Sequence, residues 1–192
     1  MASRSQLEKA ARRLTPVRQG DLDGLCGIYA VINAIRLVVH PFRPLRRAEL
    51  TALFECGLAV LSQRRQLRRS IVAGMNQRTW LRLCDEMVFE AAAITGLELF
   101  ATPLFEGDKV PTDRDALRII RHSLRDGWPV LVALMDSYNH TSVIAGFSRT
   151  RFTLYDSSGH RWTWIRSISF DPTKLGDPHF IPVGSVVAVL AF

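Results

Sequence analysis

The sequence has few cysteines, few lysines and no long hydrophobic run. Its 192 residues include three cysteines, Cys26, Cys56 and Cys84. They are odd in number and widely spaced, which excludes a disulfide framework and a paired-thiol or Cys/His zinc site. We therefore expect no metal and no cofactor. Because no apolar run approaches the roughly 18 to 20 residues that span a bilayer, we also expect no membrane span.

The beginning of the sequence does not predict a secretory signal. The segment MASRSQLEKAARRL has no apolar core of the kind that such signals need. We therefore expect a cytoplasmic protein, with leaderless export as an effector left open. Repeats and long Pro/Gly/Ser linkers are missing too, and the length suits one domain with its own core. We predict an N-terminal extension over residues 1–18 and a single domain over residues 19–192.

Lysine is scarce, so arginine carries nearly all of the positive charge. Twenty-five Lys and Arg against 18 Asp and Glu give a net charge of +7. The densest basic cluster is formed by Arg64, Arg65, Arg68 and Arg69. Its i, i+4 spacing is typical of a solvated helix face, and it lacks the interleaved aromatic residues of a single-strand-binding platform. We therefore do not expect a nucleic-acid partner.

Helical periodicity dominates the first half of the sequence. An apolar segment from Cys26 ends at His40-Pro41, and later segments stop at Gly96 and Gly127. Thr112 or Asp113 is placed to cap the last of them. Four helices are predicted, over residues 26–40, over 46–69 with an interruption near Gly57, over 79–95 and over 111–126.

The second half changes to a period of two residues, which is typical of strands. The short connection 148–150 suits a hairpin. Strands are predicted over residues 129–136, 140–147 and 151–158, within 161–170, and over 185–192. Helices followed by an antiparallel meander predict an α+β fold, with N-terminal helices packed on one side of a C-terminal antiparallel β-sheet.

A cysteine at the start of a helix has the chemistry of a nucleophile. A thiol attacks a carbonyl well only as thiolate, and its ordinary pKa near 8.5 leaves few thiolates at neutral pH. Cys26 opens the first long helix, so the helix dipole is expected to favour its thiolate. Gly24 and Gly27 allow a substrate backbone to come close, and backbone amides at this turn can donate to an oxyanion.

A base and an orienting carboxylate are expected on two neighbouring strands. His140 opens the strand 140–147, and Asp156 lies in the next strand, 156 − 140 = 16 residues later. A hairpin that turns near Arg149 pairs position 140 with a residue near 158, which brings Asp156 close to the imidazole. A carboxylate there accepts from the ring N–H and fixes the tautomer.

The remaining cysteines and histidines have structural interpretations. Cys56 and Cys84 are interpreted as small buried hydrophobic residues. His122 lies in a polar helix, His160 in the turn after Asp156, where it can line a cleft, and His179 in a loop. These three histidines are rivals to His140 as the base.

Two segments resemble a known family. QGDLDGLCGIYAVINA is similar to the glutamine-to-cysteine segment of papain-like cysteine peptidases, and NHTSVIAGFSRTRFTLYDSSGHRW resembles their histidine strand and the strand after it. The likeness is closest to the bacterial peptidase domains that remove double-glycine leader peptides in bacteriocin exporters, and to their stand-alone relatives. It covers Gln19 to about Trp162, and the helical middle, about 40–128, carries no recognisable signal.

The resemblance implies a papain-like fold and a catalytic triad. It makes Cys26 the nucleophile, His140 the general base and acid, and Asp156 the residue that orients His140. Gln19 becomes the donor of the oxyanion hole. The family's glutamine usually precedes the cysteine by six residues, whereas here 26 − 19 = 7. Either the loop bulges by one residue, or the donor is a backbone amide or another side chain such as Asn33.

A Cys-His-Asp triad supports three acyl-transfer reactions that share a thioester intermediate. It hydrolyses a peptide bond, deamidates a glutamine side chain, or passes the acyl group to an amine. We expect a cysteine hydrolase that acts on a peptide or protein substrate, as a peptidase. The alternatives are a glutamine deamidase or acyltransferase toxin or effector on the same fold, a transglutaminase-like or acetyltransferase-like fold, and a non-catalytic basic binding module for an acidic protein or nucleic acid.

Overall fold

The structure is a computed structural model that describes residues 3–20, 24–63, 65–105, 110–136, 138–174 and 179–192, with the backbone alone at residue 73. The helices of these ranges are α1 (Arg4–Arg13), α2 (Cys26–Val39), α3 (Arg47–Gln63), α4 (Leu67–Ala73), α5 (Gln77–Thr95) and α6 (Asp113–Arg125). The strands are β1 (Leu99–Pro103), β2 (Val130–Asp136), β3 (His140–Phe147), β4 (Arg151–Leu154), β5 (Trp162–Trp164), β6 (Ile168–Ser169), β7 (His179–Phe180) and β8 (Val187–Ala191). Short 3₁₀ turns lie at Ile165–Ser167 and Val183–Ser185.

The strands form one sheet in the order β1-β8-β2-β3-β4-β5, and every neighbouring pair in this path is antiparallel. β7 pairs with β2 in the antiparallel direction and with β6 in the parallel direction. Strands β2 to β5 follow one another as the predicted meander. The α+β class with an antiparallel sheet is therefore confirmed.

Helix α2 lies at the centre of the molecule. Its side chains are buried on nearly all sides, as expected for a helix whose apolar residues do not keep to one stripe. It packs against β3, α5 and α3. The segment predicted as an N-terminal extension contains α1, which buries Leu7 and Ala10 against the same core.

The predicted helix ends agree with the structure where a cap fixes them. The side chain of Thr112 accepts from the Asp115 amide at 3.2 Å and begins α6. Gly96 follows α5 with a φ of 71°, and Gly127 follows α6 with a φ of 84°. Positive φ is the conformation that favours glycine, so these two residues end their helices for the expected reason.

The interruption expected near Gly57 is wrong. Helix α3 continues through this residue to Gln63. A β-carbon at position 57 would lie 3.0 Å from the Ile28 side chain, so the glycine allows α3 to approach α2 closely. The break comes later, where Arg65 has a φ of 54° before α4 begins. Arg65 and Arg69 therefore do not share one helix face.

The β3–β4 hairpin has the expected register. Ile144 lies opposite Leu154, and the same register continued along β3 places position 140 opposite position 158. Strand β4 is shorter than predicted and ends at Leu154, although the Tyr155 amide still donates to the Val143 carbonyl at 2.8 Å. The chain then leaves the sheet at Asp156.

Within the described ranges, no helix combines the length and apolar character needed to cross a bilayer.

Candidate active site

A cleft of about 480 Å³ opens where the N-terminus of α2 faces α4 and the beginning of β3. Cys26, His140 and Gln19 all line this space, which we call the Cys26 cleft. Much of the remaining wall is apolar and is formed by Ile71, Val72, Met75, Trp80, Met135 and Pro182. The Trp80 indole N–H donates to the Ser185 carbonyl at 3.1 Å and ties α5 to the 183–185 turn.

Cys26 is the first residue of α2 and is half-buried. In the described part of the chain no side chain caps this helix end, and no acidic residue lies in its first turn. The positive end of the helix dipole is therefore available to stabilise a thiolate. A β-carbon added at Gly24 would lie 2.0 Å from the Ile71 carbonyl oxygen, so the turn before Cys26 passes directly against α4.

His140 and Asp156 form a buried pair. The ring Nε2 of His140 lies 2.8 Å from Oδ2 of Asp156. Because a carboxylate can only accept, Nε2 carries a proton and donates it to this bond. The opposite ring nitrogen is left to face Cys26, with which His140 is in hydrogen-bond contact. The structure thus brings together the three residues that the sequence predicted as a triad.

These contacts shift the pKa of each member. Burial alone raises the pKa of the Cys26 thiol, but hydrogen bonds from His140 and Thr141 outweigh burial and lower it. Burial lowers the pKa of His140, whereas its bonds to Asp156 and Cys26 raise that pKa to about 9. Both shifts favour a thiolate beside an imidazolium over the neutral thiol and imidazole.

Asp156 is fixed by the turn in which it lies. Its Oδ1 accepts from the Ser158 amide at 2.9 Å and from the His160 amide at 3.1 Å, which leaves Oδ2 for His140. The side chain is fully enclosed. Burial raises the pKa of Asp156, but the hydrogen bond from His140 and the other bonds outweigh burial and lower it. Asp156 therefore remains ionised and holds the imidazole in one orientation.

Gln19 shares the wall of the cleft with Cys26. Its backbone N–H donates to the Ser157 carbonyl at 3.2 Å, and its side-chain Oε1 accepts from the Ser157 hydroxyl at 3.5 Å. These bonds attach Gln19 to the residue that follows Asp156. The loop that has to accommodate one extra residue contains residues 21–23, and the predicted bulge therefore lies outside the described residues.

The prediction of Asn33 as an alternative oxyanion-hole donor is wrong. Its Oδ1 accepts from the Val17 amide at 2.8 Å, and its Nδ2 donates to the Val17 carbonyl at 3.2 Å. The side chain is completely buried in α2 and does not line the cleft. Asn33 instead fixes the backbone of Val17, which precedes Gln19 by two residues.

Replacing Gln19 by alanine is expected to lower kcat for a fluorogenic peptide amide by about 10²-fold or more, because an oxyanion donor acts on the transition state. The same change should leave alkylation of Cys26 by iodoacetamide nearly unaffected, since that reaction forms no oxyanion. Gln77→Ala is the matched control, because Gln77 lines the same cleft at the beginning of α5. Equal losses in the two variants would contradict a donor role for Gln19.

The other cysteines lie away from the cleft. Cys84 is completely buried, and burial raises its pKa well above the ordinary value. Cys56 is half-buried, and burial together with Glu90 and Glu86 raises its pKa. Both sites disfavour the thiolate. The prediction of a buried hydrophobic residue holds for Cys84, whereas Cys56 is only partly buried.

The rival histidines have other surroundings. His122 is exposed on α6, with Nε2 3.6 Å from an Asp126 oxygen. The rings of His160 and Tyr138 stack at 4.2 Å between centroids, with His160 6.0 Å from the His140 ring. The loop predicted at His179 is wrong, because this residue is buried in β7 opposite Asp136. Of the four histidines considered, only His140 lines the cleft with Cys26.

Sequence reasoning missed Thr141 and Tyr138. Thr141 follows His140 and contributes backbone and side-chain hydrogen bonds to the Cys26 sulfur. Tyr138 packs between the rings of His160 and His179, at centroid distances of 4.2 and 4.5 Å. Neither residue belongs to a recognisable motif, and only the folded hairpin reveals their proximity to the triad.

Among the described residues, no cluster of three His, Cys, Asp or Glu side chains has an arrangement that could hold a metal ion.

Comparison with known proteins gave no relative. No protein-family model matches the chain, and neither a curated protein nor a solved structure matches it. The function is therefore inferred from the chemistry and geometry of these residues.

Proposed function

We propose that the protein is a papain-like cysteine hydrolase that cleaves a peptide or protein amide bond through a thioester on Cys26. The observation that carries the proposal is the hydrogen-bonded series of Cys26, His140 and Asp156 at an open cleft. A buried carboxylate, an imidazole with a raised pKa and a thiol with a lowered pKa are the parts that nucleophilic catalysis by cysteine needs.

The first half of the reaction forms the thioester. The Cys26 thiolate attacks the carbonyl carbon of the scissile amide, and the C–S bond forms as the carbonyl oxygen becomes an oxyanion. Gln19 and backbone N–H groups at the start of α2 are the candidate donors to that oxygen. The C–N bond then breaks as the His140 imidazolium gives its proton to the leaving nitrogen, and the amine departs.

The second half restores the thiolate. His140, now neutral, takes a proton from water while the water oxygen attacks the thioester carbon. The C–S bond breaks, the carboxylic acid leaves, and the starting ion pair returns. Asp156 stabilises the imidazolium whenever it forms, and Oδ2 stays within 2.8 Å of the ring.

The cleft suits an uncharged peptide better than a charged one. Apart from the Cys26–His140 pair, no acidic or basic side chain lines the cleft within the described residues. Three glycines, Gly24, Gly74 and Gly184, line it as well and leave room for a substrate backbone. The volume of about 480 Å³ exceeds what a single glutamine side chain fills, which favours a peptidase over a deamidase.

The arrangement of elements supports the papain-like part of the proposal. The nucleophile begins a central helix, and the base begins a strand of the antiparallel sheet that packs against that helix. This is the arrangement that the resemblance to leader-peptide-removing peptidases implies. The nucleophile must also remain reduced, which suits a cytoplasmic site of action.

Selective alkylation tests the proposal without a known substrate. An unperturbed thiol with a pKa of about 8.5 is only about 1% thiolate at pH 6.5. We therefore expect iodoacetamide at that pH to label Cys26 roughly 10-fold or more faster than Cys56, as measured by mass spectrometry of tryptic peptides. His140→Ala should remove this preference, because the pKa of Cys26 then rises.

Two controls make the labelling result decisive. Cys84 should remain unlabelled until the protein unfolds, since it is completely buried. His122→Ala removes an exposed imidazole from α6 and should leave the Cys26 rate unchanged. Preferential labelling of Cys56, or a Cys26 rate that does not respond to His140→Ala, would overturn the proposed activation.

A further inference from the structure

Several arginines gather around the exposed ring of Trp162 and the half-buried rings of Phe147 and Trp164, at the opposite end of β3 from the cleft. His140 begins this strand and Phe147 ends it, a separation of roughly 24 Å at the rise of an antiparallel strand. We define the arginine–aromatic face by Arg121, Arg125, Phe147, Arg151, Trp162 and Trp164. The surface is distinct from the Cys26 cleft and plays no part in the proposed hydrolysis.

The first part of this face is built on Phe147. The guanidinium carbon of Arg125 lies 5.5 Å from the Phe147 ring centroid, and that of Arg121 lies 5.8 Å away. Arg4 covers the same ring at 4.3 Å and also pairs with Glu8. Together with Ser148 and Arg149, these residues line a concavity of about 360 Å³, whose described lining contains four arginines and no carboxylate.

The second part is built on two tryptophans. Arg151 on β4 lies opposite Trp164 on β5, and its guanidinium carbon is 4.1 Å from the ring centroids of both Trp162 and Trp164. The indoles meet edge to face at 5.2 Å, and Trp162 remains 43% exposed. Arg149 lines both the Phe147 concavity and a neighbouring one beside Trp164, so the two parts are continuous.

The positive charge of this face has no counterion among the described residues. Within the described ranges, no carboxylate lies within ion-pair distance of Arg121, Arg125, Arg149, Arg151 or Arg166. Asp113 lines the concavity beside Trp164, but it is paired with Lys174. A group of unpaired guanidinium ions on a chain of net charge +7 attracts anionic partners, and the two continuous concavities suit one of extended shape.

We propose that the arginine–aromatic face binds single-stranded nucleic acid. Phosphates are neutralised by the unpaired guanidinium groups, and bases stack on the exposed Trp162 indole and on guanidinium groups that pack against the aromatic rings. An acidic peptide would use the charges but not the stacking surfaces, and a duplex does not present its bases. Arginine and aromatic side chains interleave on this face, a feature missing from the sequence cluster near Arg68.

The experiment measures binding of a labelled oligothymidylate of about 12 nucleotides by fluorescence anisotropy, with the full chain and at several salt concentrations. An abasic oligonucleotide with the same number of phosphates separates charge from stacking. We expect thymidylate to bind about 10-fold more tightly than the abasic strand. Trp162→Ala should weaken thymidylate binding by about 10-fold and leave abasic binding unchanged.

Charge variants complete the test. Arg125→Glu combined with Arg149→Glu should weaken both oligonucleotides and reduce the slope of log affinity against log salt by about 0.7 for each phosphate that is no longer neutralised. Arg68→Glu combined with Arg69→Glu is the matched control, since both arginines are exposed on α4 without aromatic neighbours in the described part of the chain. Circular dichroism and Cys26 alkylation confirm that each variant is folded.

Four outcomes would overturn the proposal. The first is no binding at about 50 mM salt, where electrostatic binding is strong. The second is equal affinity for the thymidylate and abasic strands, and the third is equal competition by polyglutamate, which would identify an acidic protein as the partner. The fourth is an equal loss from the α4 control pair, which would show that overall charge alone attracts the oligonucleotide.

Discussion

Replacing Cys26 by alanine is expected to lower hydrolysis of peptide amides by about 10⁴-fold or more, because no other described group on the cleft wall can form the thioester. The measurement is kcat/KM on a fluorogenic peptide mixture with uncharged apolar residues around the scissile bond. Cys56→Ala is the matched control and should keep full activity, since Cys56 lies on α3 outside the cleft.

The chemical nature of the product separates the possible reactions. A peptidase generates a new N-terminus, a deamidase releases ammonia and leaves the backbone intact, and an acyltransferase yields an amide with the added amine. A peptidyl vinyl sulfone should label the wild-type protein once, at Cys26, and should leave Cys26→Ala unlabelled. Undiminished hydrolysis in Cys26→Ala would exclude the cysteine mechanism altogether.

Removing the carboxylate of Asp156 is expected to move the alkaline limit of activity downward. The pKa of His140 is raised from 6.5 to about 9, with Asp156 the foremost of the groups that raise it. An imidazolium is needed to protonate the leaving amine, so wild-type activity should decline only as the pH rises through about 9. In Asp156→Ala the pKa of His140 falls, and the decline begins at lower pH.

Two substitutions test what the carboxylate of Asp156 contributes. Asp156→Ala loses the charge and the contact with the ring, and we expect kcat at pH 7 to fall by about 10²-fold. Asp156→Asn keeps the size of the side chain, but the Ser158 and His160 amides require its oxygen, so its NH₂ group faces His140 and favours the wrong tautomer. We expect Asp156→Asn to lose at least as much kcat as Asp156→Ala and to shift the alkaline limit as well. The measurement is the pH dependence of kcat/KM for the three proteins. Identical profiles would contradict the coupling between His140 and Asp156.

The sequence predicted the central helix and the hairpin well because local rules determine both. Gly96 and Gly127 adopt the positive φ that ends a helix, and the short connection near Arg149, with a one-residue register shift between Ile144 and Gly146, brings Asp156 to His140. The predicted triad residues therefore follow from a helix start and one hairpin. These are contacts that periodicity and turn chemistry can anticipate.

Other features depend on packing that no local pattern encodes. Glycine in a helix costs about 1 kcal/mol relative to alanine, yet Gly57 lies inside α3 because the close approach of Ile28 favours its lack of a side chain. Strand β1 escaped prediction because Phe100 is half-exposed and Pro103 is a poor strand former. It exists because β8 pairs along its whole length.

The arginine–aromatic face was hidden for a similar reason. Arg125, Phe147 and Trp162 are distant in sequence and belong to α6, β3 and β5. Each looks like an ordinary surface residue when it is considered alone. Only the fold shows that unpaired guanidinium groups and aromatic rings converge at one end of the sheet.

The position of β8 bears on when the sheet is completed during synthesis. Residues 187–191 are made after the other described elements, yet they are inserted between β1 and β2. A nascent chain therefore exposes the edge of β2 at Val130 and Leu131 until residues 187–191 leave the ribosome. The 183–185 turn, which accepts the Trp80 indole bond at the cleft wall, comes directly before β8, so this wall and the sheet are completed together at the last stage of synthesis.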